Sequence, residues 1–220
     1  MFRRFLIAAA ALAASACSYG SAVDVAPMSA RLAQPLLPAG DYCEVKGAQG
    51  AYRVSSREDC APLVWNSKPH TYTLVDKENP DESVEAAVAP LGDGLFATQY
   101  ETPDEIAAPY QINLVIVSGE AFAAISPLDD TELNAILPRH PKLTFGRDGK
   151  RAIVIGGEVE DVKAYLRDAA GEALKLRKAE GDELSVGVRD KQGRPDHPAS
   201  KAQVKDVEAV KAIAARLTPK

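Results

Sequence analysis

Between Gly40 and Ile155 the chain is cut repeatedly by turn chemistry, and this punctuation constrains its fold more than any other feature. Asn79-Pro80-Asp81, Gly92-Asp93-Gly94, Pro103-Asp104-Glu105, Gly119 and Asp148-Gly149 separate apolar runs too short for ordinary helices. His70–Asp76 sets Tyr72 and Leu74 against Thr71, Thr73 and Val75, a period of two in residues that favour strands. Tyr110–Val117 is the most apolar run and is predicted to be the sheet centre. Gly92-Asp93-Gly94 and Asp148-Gly149 carry the residues that tight hairpins need.

Asp41–Lys46, Ala51–Ser55, Pro62–Asn66, Ser83–Pro90, Leu95–Glu101 and Ala121–Ile125 complete the predicted strands. Asp129 and Glu132 then stand at capping-box spacing before a short helix with Leu133, Ile136 and Leu137, stopped by Pro138. Leu143–Arg147 and Lys150–Ile155 flank the Asp148-Gly149 turn. A helix over Glu158–Ala170 gathers Val159, Val162, Leu166 and Ala169 on one face, with Gly171 as its C-cap. Leu174–Lys178 and Leu184–Arg189 form a last strand pair. Ser200 and Gln203 cap a terminal helix whose stripe is Val204, Val207, Val210, Ile213 and Leu217, expected to dock on the domain. The order predicts an α+β fold, an antiparallel β-meander sheet with two or three short helices packed on it.

The first residues suit export. Arg3 and Arg4 precede an apolar stretch of ~10 residues, too short to span a bilayer, and Ala14-Ser15-Ala16 is a small-residue cleavage site. With Cys17, the same residues resemble the bacterial lipoprotein box, in which the cysteine is acylated and becomes the new N-terminus. Ala14 stands where leucine is usual. The resemblance implies lipid at Cys17, a membrane partner through that lipid and, because Ser18 is not aspartate, the periplasmic side of the outer membrane. Ordinary cleavage after Ala16 gives a soluble periplasmic or secreted protein instead. Arg3-Arg4 also fits a loose twin-arginine pattern. Residues 1–16 are then the leader, 17–38 a tether holding the domain roughly 25 Å from its anchor, 39–189 the α+β domain and 190–220 a polar loop with the terminal helix. The Leu36-Leu37 pair is where packing on the domain begins.

The cysteine count agrees with acylation. Cys17, Cys43 and Cys60 leave an odd thiol in an oxidising compartment unless one is modified, and Cys43 with Cys60 then forms a disulfide. A metal site of Cys43, Cys60 and His70 lacks any close cysteine pair. Twenty-six basic residues face 31 acidic ones, a formal charge of −5. Loss of Arg3 and Arg4 with the leader makes it −7, which argues against nucleic acid.

No motif for catalysis stands out. His70, His140 and His197 each adjoin a proline and read as surface loop residues. Ser126, Asp129, Asp130 and His140 contain the residue types of a Ser/His/Asp triad, but a triad is a geometry and not an inventory. The acidic clusters 76–82, 104–105 and 158–161 read as solvated loops and a helix N-terminus, and Ca²⁺-loop and phosphate-loop patterns are missing. Trp65 with Tyr72 is a possible binding surface; alternatively, Trp65 packs beside the Cys43–Cys60 bridge. The expected function is a non-enzymatic binding or assembly module of the cell envelope, without cofactor, with a possible envelope protein partner. The alternatives are a lipocalin-like carrier of an apolar ligand, with a cavity lined by Tyr72, Leu74, Leu114 and Ile116, or an envelope hydrolase.

Overall fold

A computed structural model describes residues 19–48, 51–55, 60–75, 83–102, 108–147, 153–193 and 196–219. In chain order the strands are β1 (Tyr19–Ser21), β2 (Gly40–Lys46), β3 (Arg53–Val54), β4 (Ala61–Asn66), β5 (Thr71–Leu74), β6 (Val84–Gly92), β7 (Leu95–Glu101), β8 (Tyr110–Ser118) and β9 (Ala121–Ile125). Helix α1 (Asp130–Ile136), the hairpin β10 (Thr144–Arg147) and β11 (Ile153–Gly156), and α2 (Val159–Ala179) follow. The chain ends with β12 (Val186–Asp190), β13 (His197–Pro198) and α3 (Lys201–Leu217).

The sheet is antiparallel almost throughout, as expected, but it is not an open meander. From β4 to β9 each strand pairs with the next. Strand β12 then inserts between β9 and β2, with Val188 opposite both Ala121 and Cys43, and closes an eight-stranded barrel. Closure has a physical cause: β9 and β2 would otherwise present unpaired N–H and C=O groups, and one strand satisfies both edges. The turn between β6 and β7 is built as its residues demand. Asp93 and Gly94 both have positive φ, 54° and 80°, as a type I′ hairpin requires.

Alternation along the strands produces two apolar layers. The outward layer holds Leu95, Ala97, Ile112, Leu114, Ile116 and Val188, under the helices. Helix α3 lies across β8, β9 and β12, burying Val207, Val210, Ile213 and Ala214. Both expected capping boxes are formed, Asp129 with Glu132 and Ser200 with Gln203. Gly119, at φ 58°, makes the β8–β9 turn under α3, where a Cβ would meet the Asp206 carboxylate at 2.3 Å. The same carboxylate accepts the Glu120 N–H at 3.0 Å, so α3 is pinned to that turn.

Helix α2 corrects two expectations. It does not stop at Gly171, and Leu174–Lys178 is its continuation instead of a strand. Ala170, Ala173 and Leu174 prolong the buried face, so the helical period never breaks. Gly171 serves close approach: the Leu217 carbonyl lies 2.9 Å from where a Cβ would be. The stop comes at Gly181, φ 80°, where the Gly181 and Asp182 N–H groups donate to Lys178 and Arg177 carbonyls in a Schellman arrangement.

The stretch expected to be a tether is packed over its described part. Strand β1 lies between β8 and β11. Val25 and Ala26 are fully buried, Ala26 against Ala87 and Ala89. Gln99 accepts the Val25 N–H at 2.8 Å and donates to Asp24 at 2.7 Å. The absence of a hydrophobic period over 18–38 hid this, because the segment is held through single residues and hydrogen bonds to the sheet.

Cys43 and Cys60 form a disulfide with Cα atoms 4.2 Å apart. A bridge closing a loop of that length contributes about 3 kcal/mol in the chain-entropy model. Trp65 does not pack beside it. The cysteines belong to the outward layer, while Trp65 faces the barrel interior. The Asn79-Pro80-Asp81, Pro103-Asp104-Glu105 and Asp148-Gly149 turns lie outside the described residues.

Candidate functional site: an apolar barrel interior

The interior is where the apolar faces of all eight barrel strands converge on space they do not fill. Alternation along β6 points Val84, Ala86 and Val88 inward; Leu63 of β4, Tyr72 and Leu74 of β5, and Phe122 of β9 meet them. The enclosed cavity is small, about 60 Å³, and opens to solvent at its mouth. Eight-stranded barrels of this kind have interiors that either fill with side chains or hold one small ligand.

One end is covered by the segment leading into β2. Leu36 and Leu37 line the cavity, and Leu32 packs in the same cluster. Tyr72 holds the plug by its hydroxyl, which accepts the Leu37 N–H at 2.7 Å and donates to the Leu37 carbonyl at 3.0 Å. The Tyr42 hydroxyl donates to the Pro38 carbonyl at 2.9 Å. Burial raises both phenols above their ordinary pKa, so the hydroxyls stay protonated and able to donate. Trp65 sits half-buried near the same end, 4.8 Å from the Tyr72 ring and stacked on His70 at 6.2 Å. Tyr72 thus lines the cavity and holds the plug, while Trp65 packs against Tyr72 without itself lining the cavity.

The expected lining was half right. Tyr72 and Leu74 face the cavity, but Leu114 and Ile116 face the helices, and Val115 and Val117 take their place. The reason is that Tyr110–Val117 alternates Gln111, Asn113, Val115 and Val117 with Ile112, Leu114 and Ile116, and the more apolar set is the one the helices cover. Asn113, on the inward face with Val115, was the available cue. Phe96 and Phe122 are also turned inward and were not among the expected lining residues.

Arg189 lies on the same face of β12 as Gly187, which lines the cavity. Its guanidinium pairs with Glu120 at 3.3 Å, and Lys191 approaches the other Glu120 oxygen at 2.7 Å. The hydrogen bond from Lys191, with the positive charge of Arg189 nearby, holds the Glu120 carboxyl below the usual range.

The hydrolase inventory does not assemble. Ser126 is exposed, Asp129 is spent on the α1 cap, and His140 pairs with Asp168 at 3.1 Å. His197 is not a surface histidine; it is buried in β13 and pairs with the buried Asp190 at 3.1 Å. Asp190 also accepts the Gln192 and Gly193 N–H groups, so this pair ties down the loop. Glu160 and Asp161 pair with Lys163 and Lys142 at the α2 N-terminus. Among the described residues no cluster of three or more His, Cys, Asp or Glu could hold a metal ion. A second, polar cleft beside Tyr52 and Glu183 has internally paired groups: Lys211 donates to the Tyr52 hydroxyl, and Tyr52 to Glu208. No protein-family model, curated protein or solved structure matches this chain.

Proposed function

We propose that this protein is a carrier that holds one apolar ligand inside its barrel, a lipocalin-like role on a chain without the lipocalin Gly-x-Trp start. One observation carries the reading: every barrel strand turns a side chain or a glycine into one largely apolar cavity that the protein's own atoms leave unfilled. An assembly module would be served as well by a filled barrel. An apolar interior that is left open gains from a guest that removes its surface from water, at about 25 cal/mol per Å².

The test is titration of the purified protein with N-phenyl-1-naphthylamine, an apolar dye that brightens on leaving water. Saturable, blue-shifted fluorescence at one dye per protein, with micromolar affinity, is expected. Signal no greater than that of a filled-core control protein would overturn the carrier reading.

We place this carrier in the cell envelope, attached by lipid at Cys17, on the strength of the leader's resemblance to the lipoprotein box. Strand β1 begins at Tyr19, two residues beyond Cys17. Two residues span at most ~7 Å, so an acylated Cys17 would hold the barrel against the membrane and not on a long leash. That placement suits a carrier whose guests come from lipid surfaces. Intact-mass measurement of membrane-extracted protein should show acyl mass on a chain starting at Cys17. A water-soluble species with the same start and no added mass would sink the anchor.

A further inference from the structure

On the inward face of β8, next to the largely apolar cavity lining, stands a polar side chain with an unpartnered donor. Asn113 is 4% exposed, and its side-chain Nδ2 has no hydrogen-bond partner. It stands on β8 two residues before Val115 and four before Val117, both of which line the cavity, so strand alternation turns it to the same face. Directly opposite it across the ladder is Thr98, which also lines the cavity. The Thr98 hydroxyl makes only a long 3.4 Å contact to the Asn113 carbonyl.

A buried amide donor without a partner is costly, and native proteins keep few. Beside a lining built mostly of valine, alanine, leucine and aromatic carbons, it is a group waiting for an acceptor. We infer that the ligand is a single-chain amphiphile with an uncharged, hydrogen-bond-accepting head, such as the carbonyl of an acyl ester. Asn113 donates to that head beside Thr98, and the chain fills the apolar remainder. This rests on the carrier reading and names its ligand class.

The absence of charge in the head follows from the surroundings. A carboxylate at Asn113 would need a cation, since an unpaired buried charge is far more expensive than an unpaired amide. Among the described residues the cation on the inward face of β12 is Arg189, and its guanidinium is already engaged by Glu120. The small enclosed volume, about 60 Å³, favours one slim chain over a fused-ring or two-chain guest.

Three competitors of similar length separate the claims: methyl decanoate, undecane and decanoate at pH 8, each displacing the bound dye and compared at equal free concentration. The ester should bind about tenfold tighter than undecane, the worth of one good hydrogen bond, and tighter than decanoate. In Asn113→Leu the ester's advantage should vanish while undecane binds as before, and the melting temperature should hold or rise. Equal binding of ester and hydrocarbon by the wild type overturns the inference without any variant. Decanoate binding best overturns the uncharged head. An Asn113→Leu protein that keeps its stability and its ester preference removes Asn113 from the site. Failure of the dye itself to bind falls on the carrier reading, whereas dye binding with no ester preference falls on this inference alone.

Discussion

Deletion of residues 200–220 is expected to abolish cooperative folding of the whole barrel, not merely to trim a tail. Helix α3 buries Val207, Val210 and Ile213 against the outward faces of β8, β9 and β12. Each such side chain contributes about 1.5–3 kcal/mol, so three together approach the ~5–15 kcal/mol that holds a typical domain. The strands beneath are the ones that close the barrel, β12 among them. Removing α3 would expose Leu114, Ile116 and Val188 as one apolar patch. Val207→Asp tests the same contact at one position and should cost several kcal/mol, because it buries an unpaired charge. Thermal melts followed by near- and far-ultraviolet circular dichroism decide it. An unchanged melting temperature in the truncated protein would show that α3 carries none of this stability.

Ala86→Trp is expected to eliminate dye binding while leaving the fold in place. Ala86 faces the cavity from β6, flanked on the same face by Val84 and Val88. An indole there occupies the space a ligand would take and removes apolar wall from water. Unfilled volume tolerates added carbon better than a packed core does, where overpacking costs ~1–3 kcal/mol. The melting temperature should therefore stay within a few degrees of wild type. Val64→Trp is the matching control, since Val64 is exposed on the outer face of β4; neither binding nor stability should change. Full dye affinity in Ala86→Trp would move the site out of the barrel.

Much of the local structure was readable from residues. Leu95–Glu101 and Ala121–Ile125 are strands with the expected ends. Asp129, Ser200 and the valine stripe of α3 did what capping and period imply. The cysteines paired as counted, since Cys43 and Cys60 flank the Tyr42–Ala61 rung where β2 meets β4. The candidate site was less readable. Tyr72 and Leu74 were visible because threonines alternate with them, whereas the β8 contribution was assigned to the wrong face. Leu36-Leu37 stood out as a point of packing, but nothing local says that it seats in a barrel end under Tyr72.

What the sequence determined by itself was short-range: strand against helix, hairpin turns, caps and the apolar stripe of the last helix. Each depends on residues only a few positions apart, where backbone dihedrals and side-chain period act directly. The tertiary structure decided the rest. Closure required β12 to find β2, and the bonds that join them run between residues some 145 positions apart, as Val188 and Cys43 do. A strand edge is the same row of N–H and C=O groups whatever its side chains, so no local pattern names its partner. The inward face of β8 was likewise settled only when helices covered one side and left the other to the cavity. The ligand site is a property of that closure.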